Sequence, residues 1–81
     1  MDTRWSKSVT LALEGPDIFT TIDSTQAAAW AMIEDWPLED GPALDHALLV
    51  CTEVMDGKRP NDQARPAFLA AAREANLPIK D

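Results

Sequence analysis

Cysteine occurs once in this sequence, at position 51, and histidine once, at position 46. A single cysteine excludes an intrachain disulfide. One histidine with one cysteine does not make the convergent ligand set that a metal ion needs. A lone thiol suits a reducing compartment. The three glycines, Gly15, Gly41 and Gly57, stand apart at turns, so no glycine-rich phosphate loop is formed. Positive charge is scarce as well: 7 Lys and Arg stand against 14 Asp and Glu, for a net charge of −7. That balance repels phosphate backbones and anionic lipid surfaces, so neither nucleic acid nor a membrane is an expected partner. No apolar run approaches the roughly 20 residues of a membrane span. The start, Met1-Asp2-Thr3-Arg4-Trp5, lacks a basic region followed by an apolar stretch and does not read as a secretory signal. The cytoplasm is the expected location.

What remains is a chain of 81 residues, the length of one domain, expected over 1–81. A domain of this size buries only about 60–65% of its unfolded surface, so its core is thin. Self-association is one way to reinforce it.

Lys7 to Leu13 alternates, with Val9, Leu11 and Leu13 on one side and Ser8, Thr10 and Ala12 on the other. A period of two predicts a half-buried strand. Glu14-Gly15-Pro16-Asp17 reads as a turn, with Gly15 able to take positive φ. Ile18 to Ile22 follows as a second strand, so a hairpin is expected over about 7–22.

Asp23 and Ser24 are cap residues for a first helix over about 24–36, stopped by Pro37. Its expected buried face holds Ala29, Ile33 and Trp36, with Met32 and Trp30 at the edges. Pro42 suits the first turn of a second helix over about 42–56, and Gly57 suits its left-handed end. Leu44, Leu48, Cys51 and Met55 make a helical stripe that Ala47, Val50 and Val54 widen. A stripe that wide predicts a central helix with two neighbours. Ala64, Phe68, Ala71, Ala72 and Ala75 mark a third helix over about 65–76, with Pro66 in its first turn and Asn76 at its end. Leu77-Pro78-Ile79 is an apolar tail that folds back on the domain and is the candidate for a short C-terminal strand. The fold class is α+β, a two-stranded antiparallel hairpin packed on three helices.

Few residues carry chemistry. His46 falls on the polar side of the second helix with no serine or cysteine within a turn of it. Cys51 falls on the core stripe, where a free cysteine behaves as a small hydrophobe. Asp35, Glu39, Asp40 and Asp45 cluster near Trp36 and Pro37 but lack the spacing of a calcium loop. Lys58, Arg59 and Arg65 form a basic corner, whose first two members also complement the carbonyl end of the second helix. Trp5 precedes the first strand and fits either the core or a contact patch.

Taken in order, Trp5, the hairpin, the alanine-rich helix ending at Trp36-Pro37, Ala47 to Cys51 to Met55 and Gly57 form a pattern. Ala64-Arg65, Ala67-Phe68-Leu69, Ala71-Ala72 and Glu74-Ala75 continue it. This ordered set resembles the bacterial family called domain of unknown function 982, over nearly the whole chain. The resemblance implies a short stand-alone protein with no assigned activity and gives no catalytic residues to carry over. The sequence departs at Pro66, where an ordinary helix former is expected.

The first functional expectation is a non-catalytic protein-interaction or regulatory module. It would be a homodimer or bind another protein, using the open hairpin edge and the Val50 and Val54 side of the second helix. The second expectation is a small-ligand or anion binder built on Lys58, Arg59 and Arg65 with Trp5 as aromatic wall. Thiol chemistry at Cys51 is a distant third. No catalytic residue, metal or cofactor is expected.

Overall fold

A computed structural model of the chain describes residues 3–15 and 17–80. Pro16 of the expected turn, and Met1 and Asp2, lie outside the described residues. In chain order the elements are strand β1 (Arg4–Gly15), strand β2 (Ile18–Ser24), helix α1 (Thr25–Glu34), helix α2 (Pro42–Met55), a 3-10 turn (Asn61–Gln63), helix α3 (Ala64–Glu74) and strand β3 (Ile79–Lys80). The fold is α+β, with a three-stranded antiparallel sheet in the order β2-β1-β3.

The hairpin is longer than the expected 7–22. β1 pairs with β2 from Arg4↔Ser24 to Gly15↔Ile18, with irregular register between Arg4 and Val9 and between Ala12 and Gly15. Gly15 does not use positive φ; Gly41 and Gly57 do. Val9, Leu11, Leu13 and Ile22 are buried toward the helices, as the period of two requires. Ala12 points to the other face yet is also buried, because Phe19 stands opposite it in the ladder. Lys80 Nζ lies 5.7 Å from the centroid of that Phe19 ring. The tail adds the third strand: Ile79 pairs with Leu11 and Lys80 with Thr10, and Ala12 N–H donates to Pro78 O at 3.0 Å.

Helix ends follow local chemistry. Ser24 Oγ accepts from Ala27 N–H at 3.0 Å at the start of α1. α2 and α3 end alike. Gly57 N–H donates to Val54 O and Lys58 N–H to Glu53 O, while Asn76 N–H donates to Arg73 O and Leu77 N–H to Ala72 O. This double return of amides to the last turn needs a left-handed residue, supplied by Gly57 at φ 77° and Asn76 at φ 56°. Pro66 falls in the first turn of α3, where its missing amide would have no intrahelical partner.

The buried face of α1 differs from the expectation. Thr25, Ala28, Ala29, Ala31 and Met32 are buried, while Trp30 and Ile33 are exposed. The segment from Ala27 to Ile33 is apolar on nearly all sides, so hydrophobicity alone does not select a face. Contact with α2 and the sheet selects the small side chains, which permit close approach. α2 is the central helix, packed on α1 and α3. Val50 and Val54, expected as outward surface for a partner, are each only 1% exposed and belong to the internal core. Met55 of the expected stripe is exposed, because the stripe follows Leu44, Ala47, Cys51 and Val54 instead. Phe68 of α3 is fully buried, with the rings of Trp5 and Trp36 tilted against it at centroid distances of 5.8 and 5.5 Å. Among the described residues, no helix is long and apolar enough to cross a membrane.

Candidate functional site

Among the described residues, Trp5 and Trp30 each line a depression, the first among mostly polar and charged residues and the second among mostly apolar ones. The polar one, of about 310 Å³, is lined by Arg4, Trp5, Ser6, Asn61, Asp62 and Arg65. It forms where the start of β1 meets the 3-10 turn and the first turn of α3. The pairing of β1 with β2 is irregular between Arg4 and Val9, the stretch that supplies Arg4, Trp5 and Ser6 to this cavity. Trp5 Nε1–H donates to Thr25 Oγ1 at 3.0 Å, and the Thr25 hydroxyl donates to Asn61 Oδ1 at 2.6 Å. Asn61 Nδ2 donates in turn to the Arg4 carbonyl at 2.9 Å. Thr25 is fully buried, so this chain satisfies a polar group that would otherwise be costly. Arg65 Nε–H donates to the Lys7 carbonyl at 3.0 Å, which holds its guanidinium at the pocket wall.

The structure therefore brings Trp5 and Arg65 into one cavity. Lys58 and Arg59 are not part of its lining. Arg59 is engaged elsewhere: Nη2 lies 2.8 Å from Glu53 Oε1, and Nη1 donates to Gln63 Oε1 at 2.9 Å. Lys58 is exposed in the turn after α2. Arg4, Ser6, Asn61 and Asp62 escaped the sequence reading. Arg4 lay outside the expected hairpin, and Asn61 and Asp62 read as loop.

The apolar depression is a groove of about 240 Å³ lined by Gln26, Ala29, Trp30, Ile33 and Met55. Trp30 is 54% exposed, Ile33 67% and Met55 41%. Gln26, Trp30 and Ile33 follow one another at spacings of four and three residues, which places them on one side of α1. Met55 closes the groove from the last turn of α2. Glu34 and Asp56, both exposed, directly follow Ile33 and Met55.

The chain's other reactive groups are placed differently. Cys51 is fully buried, and desolvation pushes its thiol up to about 11. The thiolate needed for nucleophilic or redox work is thereby disfavoured. His46 is exposed on α2. Among the described residues, no three His, Cys, Asp or Glu side chains converge as a metal site would require.

A carboxylate does structural work nearby. Glu74, from the end of α3, accepts from Ala43 N–H at 3.0 Å and Leu44 N–H at 3.1 Å at the start of α2. Pro42 and the side-chain-free Gly41 leave that terminus without a local cap, and an acceptor from another helix supplies it. A Cβ at Gly41 would collide with the Glu74 carboxylate, so this approach requires glycine.

No curated protein and no solved structure matches the chain. The model of the family described as "Protein of unknown function (DUF982)" matches residues 7–79, which takes in the hairpin from Lys7 onward, the three helices and the start of β3. The chain belongs to that family.

Proposed function

We propose that this chain is a non-catalytic protein-interaction module whose contact surface is the Trp30 groove. Its partner is an apolar segment, such as an amphipathic helix, flanked by Lys or Arg. The observation that carries this reading is the joint exposure of Trp30, Ile33 and Met55 around one groove. Large apolar side chains gathered on the surface of a thin domain mark an interaction site, and a groove between two helices suits a helical ligand. Charge selects the partner. The whole chain carries −7, and the exposed Glu34 and Asp56 directly follow the groove residues Ile33 and Met55 in sequence, so a basic rim on the partner is attracted. A second copy would bring −7 against −7. The burial and raised pKa of Cys51 support a non-catalytic role.

A synthetic leucine/lysine amphipathic helix, titrated into the full chain, should shift the Trp30 indole N–H resonance. A leucine/glutamate helix of equal length should not. Ile33→Ser should weaken the first interaction by about tenfold or more, the scale of a contact at the centre of an interface. Absence of any shift, or equal shifts with both helices, would overturn the proposal. Sedimentation equilibrium provides the second check. A dimer that Ile33→Ser dissolves would replace the basic partner with a second copy.

A further inference from the structure

We infer that the outer edge of β2 pairs with the same edge of a second copy of this chain, antiparallel about a two-fold axis at Thr21 and apart from the Trp30 groove. The first argument is which backbone groups are open. Along an antiparallel strand, successive residues turn their N–H and C=O to opposite sides. Ala12 N–H donates to Pro78 O and Thr10 pairs with Lys80, so Ala12 and Thr10 face β3, while Val9 and Leu11 face β2. Ile22 and Thr20 are the partners of Val9 and Leu11. The N–H and C=O of Phe19, Thr21 and Asp23 are therefore directed away from the sheet. Among the described residues, no strand lies on that side of β2. At the opposite edge the tail covers part of β1 as β3. β2 also lacks the usual protections of an edge. It holds no lysine or proline, and the irregular stretches of the register add residues to β1 and none to β2.

The second argument is why the partner is a copy. Thr21 is the middle residue of Ile18–Ser24, and its backbone groups are among those directed outward. Full overlap of two β2 strands thus coincides with correct hydrogen bonding: Thr21 meets Thr21, and Phe19 meets Asp23 on both sides of the axis. Charge fits this register. Phe19, Thr21 and Asp23 share the sheet face that the helices leave open, and Phe19 and Asp23 are exposed there. Lys80 Nζ lies 5.7 Å from the Phe19 ring centroid, so the copy's Asp23 carboxylate arrives beside an ammonium at each end of the interface. Sliding the register so that Phe19 meets Thr21 sets Asp17 against Asp23 instead. The −7 of each chain is screened beyond about 8 Å at physiological salt, so the charges beside the edge decide. The hydroxyl contact of Thr10 and Thr21, at 3.1 Å, continues across the axis to the second Thr21.

Sedimentation equilibrium of the full chain, up to about 1 mM, should show a monomer–dimer equilibrium. In a mixture of isotope-labelled and unlabelled chains, an intermolecular contact should appear between the Hα protons of Thr20 and Ile22. In this register those two residues face each other as a close, non-hydrogen-bonded pair. Lys80→Glu should weaken the dimer about tenfold, since the like charge is met at both ends. Asp23→Lys added to Lys80→Glu should restore it. Ile33→Ser, in the separate groove, should leave it intact. A monomer throughout would overturn the inference. So would a dimer without the Thr20–Ile22 contact, one that Ile33→Ser dissolves, or a double charge variant no tighter than Lys80→Glu alone.

Discussion

Trp5 and Trp30 each line a depression on this surface, and the two are held in opposite ways. Trp5 is partly buried, donates to Thr25 and leans on Phe68. Trp30 stands more than half exposed on the outer side of α1. Around Trp5 the neighbours are charged and polar; around Trp30 they are mostly apolar. The same residue type thus serves the core with one edge at a polar cavity in one place, and forms an uncovered apolar surface in the other. Substitutions at the first region should be felt in stability, and at the second in binding.

Phe68→Ala should have the largest effect. It removes the buried ring that supports both Trp5 and Trp36 and should cost about 3–5 kcal/mol, read from denaturant unfolding. The indole resonances of Trp5 and Trp36 should move far more than that of Trp30. If all three moved alike, the two regions would not be separate. Thr25→Val comes next. It keeps the shape but leaves the Trp5 indole and the Asn61 carbonyl without their shared hydroxyl, at about 1–3 kcal/mol. A change within about 0.5 kcal/mol would show that the polar chain does not hold Trp5 in place.

Glu74→Ala removes the acceptor for two amides at the start of α2 and should cost about 0.5–2 kcal/mol, as the loss of a helix cap does. Cys51 gives a test by pH. Its folded pKa of about 11 lies above the ordinary 9.0, so folding keeps the proton on. The stability this contributes is complete below about pH 9 and is lost as pH rises toward 11. Cys51→Ala should flatten that alkaline loss in a set of denaturation curves. A thiol reagent near neutral pH should react slowly with the native chain and quickly in denaturant. Trp30→Ser closes the series with the smallest effect on folding, within about 0.5 kcal/mol, and the largest on capture of the basic helix. A large loss of stability would make Trp30 a core residue after all.

Much of the fold was legible because its signals are local. The alternation of Val9, Leu11 and Leu13, the Ser24 cap, Pro42 in a first turn, and Gly57 and Asn76 as left-handed ends all act within a few residues. The tail was legible as apolar, and its pairing with β1 followed from folding back. Two of the six residues that line the Trp5 cavity, Trp5 and Arg65, could be named in advance. Arg4 and Asn61 could not, since the bond that joins them spans 57 residues. The Trp30 groove was missed for another reason. α1 is apolar almost all round, and a helical pattern with no polar side has no phase to read.

By itself, then, the sequence determined the order of the hairpin and the helices, the residues that cap the helices, the acidic charge and the family, because propensity, capping and side-chain period are properties of neighbouring residues. Only the tertiary structure decided which side of α1 is buried, why Val50 and Val54 are internal, and that Glu74 caps a helix 31 residues away. Those outcomes depend on which surfaces meet, and close packing of small side chains against a facing helix outweighs the hydrophobicity of any one residue.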